Sequence, residues 1–175
     1  KVLVIGGGFS GMAAAIQLRK AGIAVDLVEL DPHWQPLGAG ITVSGATLRA
    51  LETLGVYPEV AEQGWVADGV DLHTVDGTKL AELPTPRPVG SSVAGGGGIM
   101  RPVLADILAR ATRAAGVDVR LGCSFTTLEQ DATGVTVSFT DGSRRRYDLV
   151  IGADGVHSRL RGLLFPEVKP LEYIG

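Results

Sequence analysis

Gly6, Gly8 and Gly11 have the spacing Gly-x-Gly-x-x-Gly, directly after the apolar run Val2 to Ile5 and at the start of a segment with helical periodicity. In that context each glycine has a physical use. Gly6 permits a tight turn, Gly8 lets the backbone approach a diphosphate, and Gly11 lets a helix sit close to a sheet. The helix start offers N–H groups and the positive end of a dipole to the anion. Glu29 stands 18 positions after Gly11, at the end of the next β-branched run. A carboxylate there hydrogen-bonds an adenosine ribose and repels a 2′-phosphate. Together these features point to FAD or NAD and away from NADP.

Two further groups carry chemistry. In "DLVIGADGVHSRLR", Asp148 to Arg161, an apolar strand runs into Asp154 and Gly155, and Ser158 is placed to cap a short helix. This puts a carboxylate and a small residue at a strand's carboxyl end, where doubly wound sheets bind ligands. Arg101 precedes Pro102 at a helix start, where a cation opposes the helix dipole by a few tenths to ~1 kcal/mol unless an anion sits nearby. A cofactor phosphate is a fitting anion.

The elements that must position these residues follow from periodicity. Val2 to Ile5 reads as a strand buried on both faces, Gly11 to Ala21 as a helix stopped by Gly22, and Ile23 to Glu29 as a second strand. This is a βαβ unit. The Pro- and Gly-rich stretch from Asp31 to Gly45 predicts an ordered loop, followed by a helix over Ala46 to Leu54 that Ser44 can cap and Gly55 ends. Asp76-Gly77 signals a hairpin. Pro84 to Gly98 predicts a mobile loop or a crossing between sheets. A helix restarts at Pro102 and closes at Gly116, and "VDVRLG" then reads as a strand. Val135, Val137 and Phe139 alternate with polar residues as in a half-exposed strand, and Leu149 to Gly152 reads as a buried run.

Composition bounds the function. The chain has 175 residues, 45% of them hydrophobic, enough for a compact core. Net charge is −3 with both signs interspersed, which gives no footprint for nucleic acid or an anionic membrane surface. No apolar run reaches the roughly 18 residues of a membrane-spanning helix, and no signal peptide is evident, so a cytoplasmic location is expected. Arg144 to Arg146 reads as a solvated hairpin arm. The single cysteine, Cys123, reads as a small core residue, and the three histidines lack metal-ligand spacing, so no metal site is expected. Oligomeric state leaves no readable mark.

These motifs resemble the amino-terminal half of an FAD-dependent aromatic hydroxylase, a single-component flavoprotein monooxygenase of the p-hydroxybenzoate hydroxylase and salicylate hydroxylase type. The resemblance runs over nearly all residues. It is carried by "VIGGGFSGMAAAIQLRKAGIAVDLVE", "GAGITVSGATLRALETLG", "RPVLADILARA" and above all "GADGVHSRLR". It implies that Gly6, Gly8, Phe9, Ser10 and Gly11 line the FAD pyrophosphate and that Glu29 holds the ribose. By the same likeness, the "GAGI" loop, Gly38 to Ile41 with Gly40 inside it, passes near the ribityl and flavin. Arg101 would contact FAD, the backbone near Phe125 would meet the adenine, and Asp154 and Gly155 would reach the pyrophosphate, partly through water.

The implied chemistry is reduction of the flavin by NADH or NADPH, addition of O2 at flavin C4a, and delivery of hydroxyl from the hydroperoxide to a small aromatic substrate. No side chain is assigned as the catalyst. The family's later Gly-Asp motif is absent, and "LEYIG" reads as the start of another strand, so the polypeptide is expected to continue. Rival readings are a flavin-dependent reductase, dehydrogenase or halogenase-like relative, and a noncatalytic nucleotide-binding fragment. The expected fold class is α/β. A Rossmann-like FAD-binding parallel sheet would occupy residues 1–66 and 98–165, with part of a substrate-domain β-sheet in 67–97 and 166–175.

Overall fold

The computed structural model describes residues 1–35 and 38–169. In chain order the elements begin with β1 (Val2–Ile5), α1 (Phe9–Lys20), β2 (Val25–Glu29), β3 (Gly40–Ser44), α2 (Gly45–Leu54), α3 (Tyr57–Gln63) and β4 (Trp65–Ala67). Then follow β5 (Gly69–His73), β6 (Lys79–Pro84), β7 (Gly96–Met100) and α4 (Arg101–Ala114). The remainder is β8 (Asp118–Leu121), β9 (Phe125–Asp131), β10 (Gly134–Phe139), β11 (Arg144–Tyr147), β12 (Leu149–Gly152) and α5 (Arg159–Leu164).

The chain forms two compact units, with described residues 1–35 and 109–169 in the first and 38–108 in the second. The first unit holds a four-stranded sheet of order β12-β1-β2-β8, with all pairings parallel. Short parallel strands must be reached by crossovers, and α1 supplies the one between β1 and β2. Central β1 is buried on both faces, as its unbroken apolar run requires. Leu3 and Ile5, with Val28 of β2, join a core containing Phe125, Val137, Phe139, Tyr147 and Cys123. Val4, with Val25 and Leu27, packs on the opposite side with Ala15 of α1 and Val117. A three-stranded antiparallel sheet, β11-β10-β9, supplies the first core; β10 alternates between buried and half-buried positions along its length.

The second unit contains the antiparallel sheet β3-β7-β4 and the hairpin β5-β6. Ser44 Oγ accepts from the Thr47 N–H at 3.3 Å and so caps α2 as the sequence implies. The hairpin turns at Asp76-Gly77, and β6 is exposed along its whole length. Division by compactness falls elsewhere than the expected boundaries at 66 and 98, because β7 pairs with both β3 and β4 and draws residues 38–66 together with the hairpin region.

Four local readings need correction. Gly40–Ser44, inside the expected loop, is a strand paired with β7. The glycine cluster is no mobile crossing but the central strand of that sheet. A Cβ on Gly97 would lie 2.3 Å from Trp65 O, so glycine is what lets these strands come together. The preceding loop is pinned: Arg87 Nη2 donates to Asp68 Oδ2 at 2.7 Å, and Asp68 Oδ1 accepts the Gly95 N–H at 3.0 Å. Leu149–Gly152 is parallel as expected but, among the described residues, sits at the sheet edge, with Leu149 51% exposed. Finally, Arg145 is no solvated arm: its Nη1 lies 3.0 Å from Oδ2 of fully buried Asp26. The expected strand at Leu171, Tyr173 and Ile174 lies outside the described residues.

Candidate functional site

The site begins where β1 ends. Gly6 turns the chain with φ +105°, and a Cβ there would stand 2.3 Å from the Ala153 carbonyl oxygen, so both backbone conformation and space require glycine. Gly11, in the first turns of α1, would place a Cβ 1.9 Å from Gly6 O, which is how the helix comes down onto the strand. Gly7 lies under the Trp34 indole, whose Nε1 would be 2.4 Å from a Cβ.

Gly8 differs from all three. It precedes α1 with φ −68° and ψ 178°, a conformation open to any residue, and a Cβ there would meet nothing within 4 Å. Among the described residues neither backbone conformation nor a neighbouring atom requires glycine here, and the backbone is open to a ligand lying against it. Met12 N–H to Gly8 O, 3.0 Å, is the first bond of the helix ladder, so the backbone N–H groups of Phe9, Ser10 and Gly11 form its positive end. No acid in the first turn competes for that end, while Arg19 and Lys20 complement the dipole at the other.

A cavity of about 380 Å³ opens beside this turn. Six of the expected residues line it together: Gly6, Gly8, Glu29, Phe125, Asp154 and Gly155. Its size falls in the range of about 300–1,000 Å³ typical of ligand sites. Glu29 Oε2 accepts the Gly7 N–H at 2.6 Å and Oε1 the Asp31 N–H at 2.8 Å. Each carboxylate oxygen has about two acceptor sites, so these bonds leave capacity for ribose hydroxyls. Asp154 is turned inward: Oδ1 accepts from Ser158 Oγ at 2.6 Å and Oδ2 from the Leu160 N–H at 3.1 Å. Ser158 Oγ in turn accepts the Arg161 N–H at 2.9 Å, so the pair caps α5 and fixes the backbone of Asp154 and Gly155 along the cavity wall. Gly40 and Arg101 belong to the second unit. Gly40 starts β3, and Arg101 opens α4 with its N–H on Ala39 O at 2.8 Å and its Cδ 3.1 Å from the Cβ position of Gly38.

Over residues 1–169 the sequence matches the family described as FAD binding domain. The chain belongs to that family. FAD is therefore the cofactor to be fitted to the cavity, and a glycine turn with open space at Gly8, a helix start and an acid at the end of β2 suit its ADP portion. The FAD-binding chain is 32% identical over 170 residues to aurachin C monooxygenase/isomerase of Stigmatella aurantiaca, an alignment covering 97% of this chain and 44% of that protein. Among solved structures, 2-methyl-3-hydroxypyridine-5-carboxylic acid oxygenase aligns at TM-score 0.73 and 28% identity over 90% of this chain and 40% of that one. The flavin-dependent monooxygenase PieE, solved with FAD and substrate, aligns at TM-score 0.75 and 28% identity over 93% and 31%. The chain thus spans about half the length, or less, of the relatives it matches.

Two cavity or turn residues of this FAD-binding fold escape sequence reasoning. Arg159 lines the cavity, its guanidinium 4.9 Å from the Phe125 ring centroid and its Nη1 3.4 Å from Phe125 O. Nothing in "SRLR" distinguishes it from a solvent-facing helical arginine. Trp34, over Gly7, sits in a stretch that carries only loop signals. Among the described residues no group of three or more His, Cys, Asp or Glu is placed to hold a metal, and no helix is long and apolar enough to cross a membrane.

Glu29→Ala is expected to weaken FAD binding by about 1–3 kcal/mol, the range for losing hydrogen bonds to a charged group. Calorimetric titration of the FAD-free protein measures it, and an unchanged affinity would remove Glu29 from the site.

Proposed function

We propose that the protein is an FAD-dependent monooxygenase that hydroxylates a small aromatic substrate with NADH or NADPH and O2, in the cytoplasm. The observation that carries the cofactor part is Gly8, a glycine that neither backbone conformation nor neighbouring atoms demand, placed at a helix start beside a nucleotide-sized cavity. The oxygenase part is supported by family membership and by what the relatives are named for.

In this reading Gly8, Phe9, Ser10 and Gly11 bind the diphosphate through backbone N–H groups, and Glu29 orients the ribose. The Phe125 backbone meets the adenine, and Asp154 with Gly155 closes the pyrophosphate side. Gly40 and Arg101 serve the flavin and phosphate end. FAD supplies the electron transfer and the activation of O2; the protein binds, orients and excludes water. Residues 1–66 and 98–165 act as the FAD domain. Residues 67–97 and 166–175 begin a substrate domain, for which the exposed Leu72, Leu80 and Leu83 of the hairpin offer an apolar surface.

The test is substrate-dependent oxygen uptake by the flavin-loaded protein across a panel of small phenols and heteroaromatic acids. A hydroxylated product formed in step with NAD(P)H consumption is the expected result. NAD(P)H oxidation that yields only hydrogen peroxide with every compound would count against hydroxylation.

A further inference from the structure

The three consecutive glycines include one that the diphosphate reading does not use. Gly7 lies between two side chains that hold its peptide groups from either side. Its N–H donates to Glu29 Oε2 at 2.6 Å, and its carbonyl accepts from Trp34 Nε1 at 2.7 Å. A peptide unit is planar and trans, so the carbonyl of Gly7 and the N–H of Gly8 point in opposite directions from the same plane. Drawing Gly7 O toward the indole therefore aims the Gly8 N–H away from it. Gly8 lines the cavity and Trp34 does not.

Trp34 is held in place by more than this one bond. Its φ is +52°, the single positive value outside glycine among the described residues and an unusual one for a bulky side chain. Asp31 enforces it, its two carboxylate oxygens accepting the N–H groups of His33 and Gln35, each at 2.9 Å. Those bonds hold the Asp31 carboxyl below the usual carboxylate range, so the clasp is ionised at neutral pH. Asp31 is itself tied to the turn, since its N–H donates to Glu29 Oε1 at 2.8 Å. On the ring face, the Arg113 guanidinium of α4 stands 4.7 Å from the indole centroid, within cation–π range. A strained backbone that its surroundings over-determine marks a position where geometry is being used.

We propose that Trp34 is a positioning residue for the FAD site: its indole N–H fixes the Gly7 peptide so that the Gly8 N–H is presented to the diphosphate. The proposal rests on the FAD reading of the cavity. Trp34 touches no cofactor atom in this account and acts only through Gly7.

Trp34→Phe removes the N–H and keeps a ring for Arg113. FAD and ADP, which share the diphosphate, are titrated against the FAD-free wild type and variant, with thermal unfolding of both. The expected result is an FAD Kd raised about tenfold, a matching factor for ADP, and an unchanged unfolding midpoint. A variant that melts lower but binds both nucleotides as wild type would show a merely structural tryptophan and overturn the proposal. So would unshifted binding with an unshifted midpoint. Wild-type protein that takes up no FAD would instead overturn the FAD reading, and this assignment with it. Should Trp34→Phe fail to fold, hydrogen exchange at the Trp34 indole N–H of FAD-free wild type decides: protection supports the bond to Gly7, and exchange at the rate of a free indole overturns it.

Discussion

Gly8→Val is expected to leave the FAD-free fold intact and to abolish FAD binding. Valine accepts the φ of −68° and ψ of 178° that Gly8 holds, and its Cβ enters space with no atom within 4 Å, so the apoprotein has no reason to unfold. In the proposed binding mode the same methyl groups stand where the diphosphate would lie to reach the helix start. Forcing extra atoms into a filled site costs about 1–3 kcal/mol or more, and here the displaced ligand also loses its backbone donors, so a loss beyond about 100-fold follows. Gly6→Ala and Gly11→Ala should do the reverse. Their Cβ atoms would sit 2.3 Å from Ala153 O and 1.9 Å from Gly6 O, so both destabilise the fold before any ligand is added. Circular dichroism melting of the three FAD-free variants, with flavin-fluorescence titration of whatever folds, separates the two behaviours. Wild-type FAD affinity in Gly8→Val would refute the placement of the diphosphate.

That contrast marks what the sequence can and cannot disclose. The pattern Gly-x-Gly-x-x-Gly announces a turn between a strand and a helix, and the structure places it there; the alternation of β10 and the Ser44 cap were equally plain, because each is a local relation between neighbours. What stayed hidden depends on residues far apart in the chain. Gly97 looks like a loop glycine until Trp65 O is brought against it by β4. Leu149–Gly152 has the composition of a buried strand, yet burial depends on which strand lies next to it, and among the described residues β12 has only β1. Arg145 has no local signal that separates it from Arg144 and Arg146; what distinguishes it is a partner 119 positions away in β2. Along the cavity, the place of Glu29 at the end of β2 was legible from spacing, whereas Trp34 and Arg159 are defined only by where a loop and a short helix bring them.

Asp26→Ala should destabilise the first unit by about 1–3 kcal/mol, the range for leaving a buried hydrogen-bonding group without its partner. Asp26 occupies β2 on the same face as Val28, toward the antiparallel sheet, and is fully buried. Burial opposes its ionisation, but hydrogen bonds from Lys1, Tyr147 and Arg145 outweigh that and hold its carboxyl below the usual carboxylate range. Lys1 Nζ stands 2.7 Å from Oδ1, and Arg145 Nη1 and the Tyr147 hydroxyl lie 3.0 and 2.8 Å from Oδ2. Burial and this carboxylate also push the Tyr147 phenol up, so it stays a donor at neutral pH. Alanine would leave that buried hydroxyl without its acceptor and Lys1 Nζ without this counter-ion, while Arg145 keeps Asp118 at 3.1 Å. Because the folded pKa lies below the unfolded one, the carboxylate's contribution is fully present above the ordinary value of about 3.8 and fades as pH falls through the lowered value. Urea unfolding at pH 7 should show a lower midpoint with an unchanged slope. Asp26→Asn, which keeps an acceptor for Tyr147, should lose less and should show a shallower loss of stability below about pH 4 than the wild type, whose other lowered carboxylates it retains. Equal midpoints for wild type and Asp26→Ala at pH 7 would show that the ion pairs do not tie β2 to the antiparallel sheet. Although Asp26 lies three residues before Glu29 on the same strand, it does not line the cavity, so FAD affinity measured well below the melting temperature should stay close to wild type. The network would then act on whether the site exists, and Gly8 and Trp34 on what it holds.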